Sequence, residues 1–394
     1  MEDMILMHDE CRGCWSLHGS KWTPDLNVPL GYTMTKKTID FMYMMNIYSA
    51  KLEGHFWMLN ACFDSDHRAA CATNLIVYAI QTAKPWFNSL GDGYFGLAPS
   101  TQLGGSDNLT DGKNNILEQM YMHKMITKKQ FGVHTHMYNS TDDPSSIRFG
   151  GYNEELFKAG HKQRWINTTS NTQWHIELDS VQFHSENLLS SKIPALIDPG
   201  YPFIAMPDSE FDAFKQDVMN AYPDEPVTCT NKAWCYFFTP CEDLRDDMPD
   251  LKFSFKTNDD DGDDLTTYSI KPISFLYSDV DYRTNITTCH LGVIGQRWND
   301  IEHWVLGGAF MENFYVTYDA TNHEQLRIGL SYNQAESGLF GTSHGLVLLI
   351  TMMVVVLLLC AFAILAVCFC CRTRQQARLA RAKTYFDQLK QKNE

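Results

Sequence analysis

The run Ala195-Leu196-Ile197-Asp198-Pro199-Gly200 places a carboxylate at the end of an apolar stretch and ahead of a tight turn. A side chain held on a rigid element can be aimed. The glycine beside it lets backbone N–H groups approach and hydrogen-bond the carboxylate. Apolar residues 203–205 would lie beneath the turn and keep it dry. A carboxylate so held suits acid–base chemistry.

Other segments offer competing chemistry. Gly91-Asp92-Gly93-Tyr94-Phe95-Gly96 fits a dinucleotide-binding glycine pattern, but no alternating strand–helix units surround it. The acidic run 258–264 fails as an EF-hand: with Gly262 at loop position six, Thr257 and Tyr268 fall where oxygen-rich ligands are required. It reads better as a hairpin turn between 251–256 and 268–273. Cys11-x-x-Cys14 has no second pair and no thioredoxin-like unit after it, so a structural disulfide loop is expected. His134 and His136 share a strand face without a third ligand. There is no G-x-S-x-G and no H-E-x-x-H. No cofactor and no metal are expected.

The elements that must position Asp198 read as strands with frequent turns. Segments 38–43, 75–81, 132–137, 174–183, 251–256 and 314–318 are short, rich in β-branched or aromatic residues and partly alternating. Helix is expected over 115–125 and 208–219, the second capped by Asp208. Strand-rich lobes with few helices fit a mainly β, two-lobed architecture.

The 394 residues are 44% hydrophobic and carry a formal charge of −15. That length can bury two cores. From Arg372 onward seven Lys/Arg face two Asp/Glu, so the remainder carries −20. An acidic surface of that size repels nucleic acid. From Leu346 to Cys371 there are 26 residues without a charge. A bilayer core takes roughly 20 apolar residues in a helix. Basic residues follow the run at once, which places the tail in the cytoplasm and everything earlier outside. Sequons at Asn108, Asn139, Asn167 and Asn285 all precede it. So do eight cysteines, Cys11, Cys14, Cys62, Cys71, Cys229, Cys235, Cys241 and Cys289, an even number suited to disulfides whose connectivity stays open. Cys368, Cys370 and Cys371 at the cytoplasmic edge suit palmitoylation or simple lipid contact equally well. The first residues have neither a basic n-region nor a long apolar run, so the start is incomplete or export follows an unusual route.

Three segments now combine. Asp92-Gly93-Tyr94-Phe95-Gly96-Leu97-Ala98 comes first. Ala195-Leu196-Ile197-Asp198-Pro199-Gly200-Tyr201 runs on to Pro207. Trp304-Val305-Leu306-Gly307-Gly308-Ala309-Phe310 closes the series. In order and spacing they resemble the pepsin-like aspartic proteases over roughly 11–331. The resemblance implies two β-rich lobes, 1–164 (incomplete) and 165–332, around a deep peptide-binding cleft. A stalk (333–344), a transmembrane helix (345–371) and a basic tail (372–394) would follow. It also implies a pair of aspartates that share a proton and activate water; pepsin is the usual example of such a pair. Asp198 matches the second of them. Gly200 and Tyr201 match its substrate-facing turn, and Tyr43 matches the tyrosine of the flap.

The chain departs from that pattern. Asp-Thr-Gly and Asp-Ser-Gly occur nowhere, and the first aspartate would fall just upstream of residue 1. Pro199 replaces a threonine that locks the two active-site loops in the family, and supplies neither N–H nor hydroxyl. Tyr201 replaces a small hydroxyl residue that holds the carboxylate. Met44 and Asn46 replace flap glycines. The expectation is a type I membrane protein of the secretory or endolysosomal system or cell surface. It would be impaired as a protease and would bind extended peptides or proteins, with the bilayer as its second partner. Two alternatives stand beside it: an active acid endopeptidase whose first aspartate lies on residues absent here, and a receptor or adhesion scaffold without catalysis.

Overall fold

The computed structural model describes residues 4–16, 36–43, 48–62, 71–89, 93–99, 115–135, 145–223, 225, 227–230, 234–245, 247–259, 262–281, 286–295 and 303–333. Met1–Asn333 forms one compact unit and Gln334–Glu394 a second. The apolar run from Leu346 to Cys371 belongs to the second unit and lies outside the described residues. Among the described residues no helix is long and apolar enough to cross a membrane.

The first unit is mainly β, consistent with a pepsin-like fold. In the first sheet, β1 (Met4–Ser16), β2 (Lys36–Tyr43), β3 (Tyr48–Cys62), β4 (Cys71–Ser89) and β5 (Gly93–Phe95) take the order β2-β3-β4-β1-β5. Helix α1 (Ile116–Met122) follows, and the Asn115 side chain caps it by accepting from the Leu117 and Glu118 N–H groups.

A second sheet combines β6 (Gln130–His134), β7 (Ser146–Phe149) and β8 (Arg164–Asn167) with β22 (Phe314–Asp319) and β23 (Arg327–Tyr332), in the order β7-β6-β22-β23-β8. It joins residues 130–167 to residues 314–332. Every residue of β6 and β22 is buried, which marks strands covered on both faces.

A third sheet has the order β20-β13-β21-β12-β9, from β9 (His175–Leu178), β12 (Ile193–Ile197), β13 (Ile204–Met206), β20 (Val293–Gly295) and β21 (Trp304–Leu306). A fourth comprises β10 (Ser180–Phe183), β11 (Glu186–Asn187), β16 (Leu251–Asp259) and β17 (Gly262–Ile270), and a fifth β14 (Val227–Thr230), β15 (Trp234–Phe237), β18 (Leu276–Asp281) and β19 (Ile286–Leu291). Helix α2 (Asp208–Ala221) packs on β20, α3 (Cys241–Arg245) on β18 and β19, α4 (Pro272–Phe275) on β18, and α5 (Gly308–Met311) on β13, β21 and β22.

Period-two patterning builds the core. Ile176 and Leu178, Val181 and Phe183, and Leu251, Phe253 and Phe255 all point inward. Phe253 meets Trp304 and Phe310 edge-on, which ties the third and fourth sheets to α5.

Several elements differ from expectation. The stretch 174–183 divides into β9 and β10, because the Asp179 N–H turns to the Ser254 carbonyl and starts a second sheet. Asp208 does not cap α2: Pro207 occupies the cap position and Asp208 is already helical. Its charge still lies at the positive end of the helix dipole. The hairpin around the acidic run pairs Asp259 with Gly262, and its second strand stops at Ile270 because Pro272 opens α4. Gly93-Tyr94-Phe95 is a strand, so the glycine pattern around it does not open a phosphate-binding helix.

Candidate active site

Asp198 follows β12 directly. Strand β12 lies between β9 and β21 and pairs in parallel with β21. The Asp198 N–H extends that ladder one step, donating to the Leu306 carbonyl at 3.2 Å. The chain then turns: the Tyr201 N–H donates to the Asp198 carbonyl at 3.2 Å, and the Gly200 N–H donates to Asp198 Oδ1 at 2.9 Å. Among the described residues, Gly200 is the donor that reaches this carboxylate. Pro199, between them, has no N–H to give. Asp198 is half-buried, while Pro199 and Gly200 face solvent.

A second loop crosses the first. The N–H groups of Gly307, Gly308 and Ala309 donate to the carbonyls of Phe203, Tyr201 and Pro202, at 3.1, 2.6 and 3.0 Å. A Cβ at position 307 would lie 2.0 Å from the Tyr201 oxygen and 2.5 Å from the Phe203 oxygen. A Cβ at 308 would lie 2.9 Å from the Pro202 oxygen. The adjacent glycines exist because two backbones meet here.

Tyr318 supports the turn from below. Its fully buried hydroxyl donates to the Ile197 carbonyl at 3.3 Å, and its ring stacks on Phe131 at 4.5 Å. Trp174 meets the same ring edge-on, and its indole N–H donates to the Leu97 carbonyl at 2.8 Å. The segment after β5 is thereby fastened to the floor of the Asp198 strand. Burial raises the pKa of the Tyr201 and Tyr318 phenols, and the Asp198 charge adds to it, so both stay neutral.

The two ends of the unit repeat one arrangement. Strand β13 pairs in parallel with β20 and antiparallel with β21. Strand β1 pairs in parallel with β4 and antiparallel with β5 in the same way. Strand β12 flanks β21, and its counterpart beside β5 is not among the described residues.

Of the sequence-predicted site residues, Asp198, Gly200 and Tyr201 share one turn. Tyr43 ends β2 opposite Tyr48, and its side chain lies outside the described residues, as do Met44 and Asn46. Disulfides join Cys229 to Cys235 and Cys241 to Cys289, and Cys11 is also disulfide-bonded. Cys14 sits on β1, and the β3–β4 register sets Cys62 opposite Cys71. Asn167 is exposed at the end of β8; Asn108, Asn139 and Asn285 lie outside the described residues. His134 is buried and stacks on Tyr315.

Sequence reading missed two titrating features near the site. The His175 and His303 rings lie 4.8 Å apart on the sheet that carries Asp198. Burial, then the neighbouring imidazole, lowers His175 to about 4. Glu312, beyond α5, is pushed up to about 7 by burial. Their linkages have opposite signs. The folded state withholds a proton from His175, so stability is full above 6.5 and falls as pH drops toward about 4. It favours protonated Glu312, so stability is full below 4.5 and falls as pH rises through about 7. Discounted for solvent, each is worth about 1–2 kcal/mol. In the window between those limits the two linkages oppose each other, while buried His303 adds to the His175 side. Relative to wild type, Glu312→Gln should steepen the loss of thermal stability on acidification there, and His175→Asn should lessen it. Unchanged pH slopes in both variants would refute the assignment.

Comparison with known proteins agrees with this geometry. A model of the family described as "Eukaryotic aspartyl protease" matches residues 72–331. The chain is 23% identical over 247 residues to pepsin A of Sus scrofa, covering 61% of this chain and 54% of the relative. It is 23% identical over 251 residues to cathepsin E of Mus musculus, covering 62% and 55%. Pepsin-2B of Gadus morhua is 22% identical over 234 residues, covering 59% and 62%. The chain spans about half the length of the curated relatives it matches. The matched segment contains the Asp198 turn, both crossing glycines and the Tyr318 support, and the chain belongs to the eukaryotic aspartyl protease family.

Proposed function

We propose that this protein is a membrane-anchored, pepsin-like ectodomain that holds extended peptides at its cleft and hydrolyses them poorly. The carrying observation is the support of Asp198. Among the described residues its carboxylate takes one backbone hydrogen bond, from Gly200, in a turn that also contains Pro199 and the half-buried Tyr201. Carboxylate chemistry depends on donors fixed before the reaction, and removal of one such donor typically costs about 10²–10³ in rate. Pro199 removes a donor group, and Tyr201 places a bulky phenol where the family has a short hydroxyl. The run from Leu346 to Cys371 would hold the protein in the bilayer, with the glycosylated, disulfide-bonded part lumenal or extracellular.

A specific observation favours a second reading, an active acid endopeptidase. The Asp198 N–H keeps its place in the β12–β21 ladder, and the crossing glycine loops and the Tyr318 hydroxyl still hold the backbone around it, which favours a carboxylate fixed for chemistry.

An acid-pH peptide cleavage assay on the protein purified from its native membrane separates the two. Turnover should fall at least about 10²-fold below that of pepsin A assayed beside it. Pro199→Thr combined with Tyr201→Ser should raise it about tenfold or more. Turnover that matches pepsin A, is blocked by a statine-containing inhibitor and is lost in Asp198→Asn would establish the endopeptidase instead.

A further inference from the structure

The Asp198–Pro199 bond is chemically unlike the bonds around it. Aspartyl–proline occurs twice in the chain, at Asp143–Pro144 and at Asp198–Pro199. The first pair lies outside the described residues, and the second forms the turn of the candidate active site. A proline nitrogen carries no hydrogen. It therefore cannot attack the aspartate side chain, which is how an aspartyl residue ordinarily rearranges. The reverse attack stays open, from a side-chain oxygen onto the main-chain carbonyl. Proline is also a favourable leaving group, because its nitrogen departs as a basic secondary amine.

The turn holds both reacting groups. The Gly200 N–H donates to Asp198 Oδ1 at 2.9 Å, an Asx turn that folds the carboxylate back across its own link to Pro199. The Tyr201 N–H donates to the Asp198 carbonyl oxygen at 3.2 Å, where negative charge builds when that carbon is attacked. The Asp198 N–H, on the Leu306 carbonyl, anchors the residue from the other side. Pro199 and Gly200 face solvent, so water and acid reach the bond. We propose that the Asp198–Pro199 bond is a self-cleavage site, at which acid makes the chain cut its own backbone with the Asp198 carboxylate.

The reaction balances as a hydrolysis. A carboxylate oxygen of Asp198 bonds to the Asp198 carbonyl carbon and closes a cyclic anhydride. The bond from that carbon to the Pro199 nitrogen breaks, and the nitrogen takes a proton from the acid as it leaves. Water then opens the anhydride. One product ends at Asp198 with a new α-carboxyl group, and the other begins at Pro199 with a free amine. Among the described residues, the other titratable groups that feel the Asp198 charge are the Tyr201 and Tyr318 phenols, and both stay neutral. The acid dependence therefore belongs to the proton delivered to Pro199.

The two pieces would stay together. Strands β6, β8 and β12 lie before the cut and pair with β22, β23 and β21 beyond it. The cut frees the turn while the sheets persist, and so ends whatever chemistry the carboxylate performs. It needs neither a bound peptide nor a second aspartate, and so goes beyond the peptide-holding reading.

The test incubates the full chain in detergent micelles in acid buffer and follows the fragments by mass spectrometry. A fragment ending at Asp198 and another starting at Pro199 are expected. Their rate of appearance should not depend on protein concentration or on a statine-containing inhibitor. Concentrated urea, which undoes the turn, should slow this cut about tenfold, to the rate at Asp143–Pro144. Pro199→Ala, at an exposed position, should slow it at least about tenfold. The urea comparison uses the natural chain, so it decides the matter even if the variant misfolds. An intact chain, a cut that urea leaves unchanged or speeds, or one that the inhibitor stops overturns the proposal. So does a Pro199→Ala chain that is cut as fast as wild type.

Discussion

Gly307→Ala is expected to unfold the half of the protein that carries Asp198. The new methyl would lie 2.0 Å from the Tyr201 carbonyl oxygen and 2.5 Å from that of Phe203. Both obstacles are backbone, so no rotamer change relieves them. Moving the loops apart would break the three hydrogen bonds from Gly307, Gly308 and Ala309 that hold residues 201–203. Overpacking of this rigidity costs about 3 kcal/mol or more, a large share of a domain's stability. Chemical denaturation should show an early transition, or no soluble protein at all. Gly200→Ala is the control: its Cβ would meet Asp198 Oδ1 at 3.2 Å in an exposed turn, so the loss should be far smaller. Equal stability of the two variants would mean that the crossing of the loops does not hold the site.

That contrast shows where sequence reading stops. Asp198 was legible because an apolar run, an acid and a glycine follow one another on adjacent residues. The strands were legible from period two, as in Leu251, Phe253 and Phe255. Gly307 and Gly308 could be seen as a motif, but the reason for two glycines lies about a hundred residues away in Tyr201 and Pro202. The Tyr318 hydroxyl beneath Ile197 is hidden for the same cause, since its partner is 121 residues distant. The break between β9 and β10 depends on Ser254, and the approach of His175 to His303 depends on sheet order. Local pattern reports which residues face inward. It does not report which distant backbone they meet.

A covalent tie closes the segment that builds much of the fourth and fifth sheets, and cutting that tie should produce the second large effect. The Cys241–Cys289 bond joins α3 to β19 and spans 48 residues of sequence. Within that span lie β16, β17, α4 and β18, so the bond restrains most of the fourth and fifth sheets in the unfolded chain. The chain-entropy relation gives about 4 kcal/mol for a loop of that length. The Cys229–Cys235 bond spans 6 residues across a single hairpin and should give about 2 kcal/mol. Cys241→Ser with Cys289→Ser should therefore lower the denaturation midpoint well below that of Cys229→Ser with Cys235→Ser. Both Cys241 and Cys289 are fully buried, so the paired serines add a desolvation penalty in the same direction. The opposite ranking of the two pairs would show that the short hairpin, rather than the long loop, carries the stability of this region.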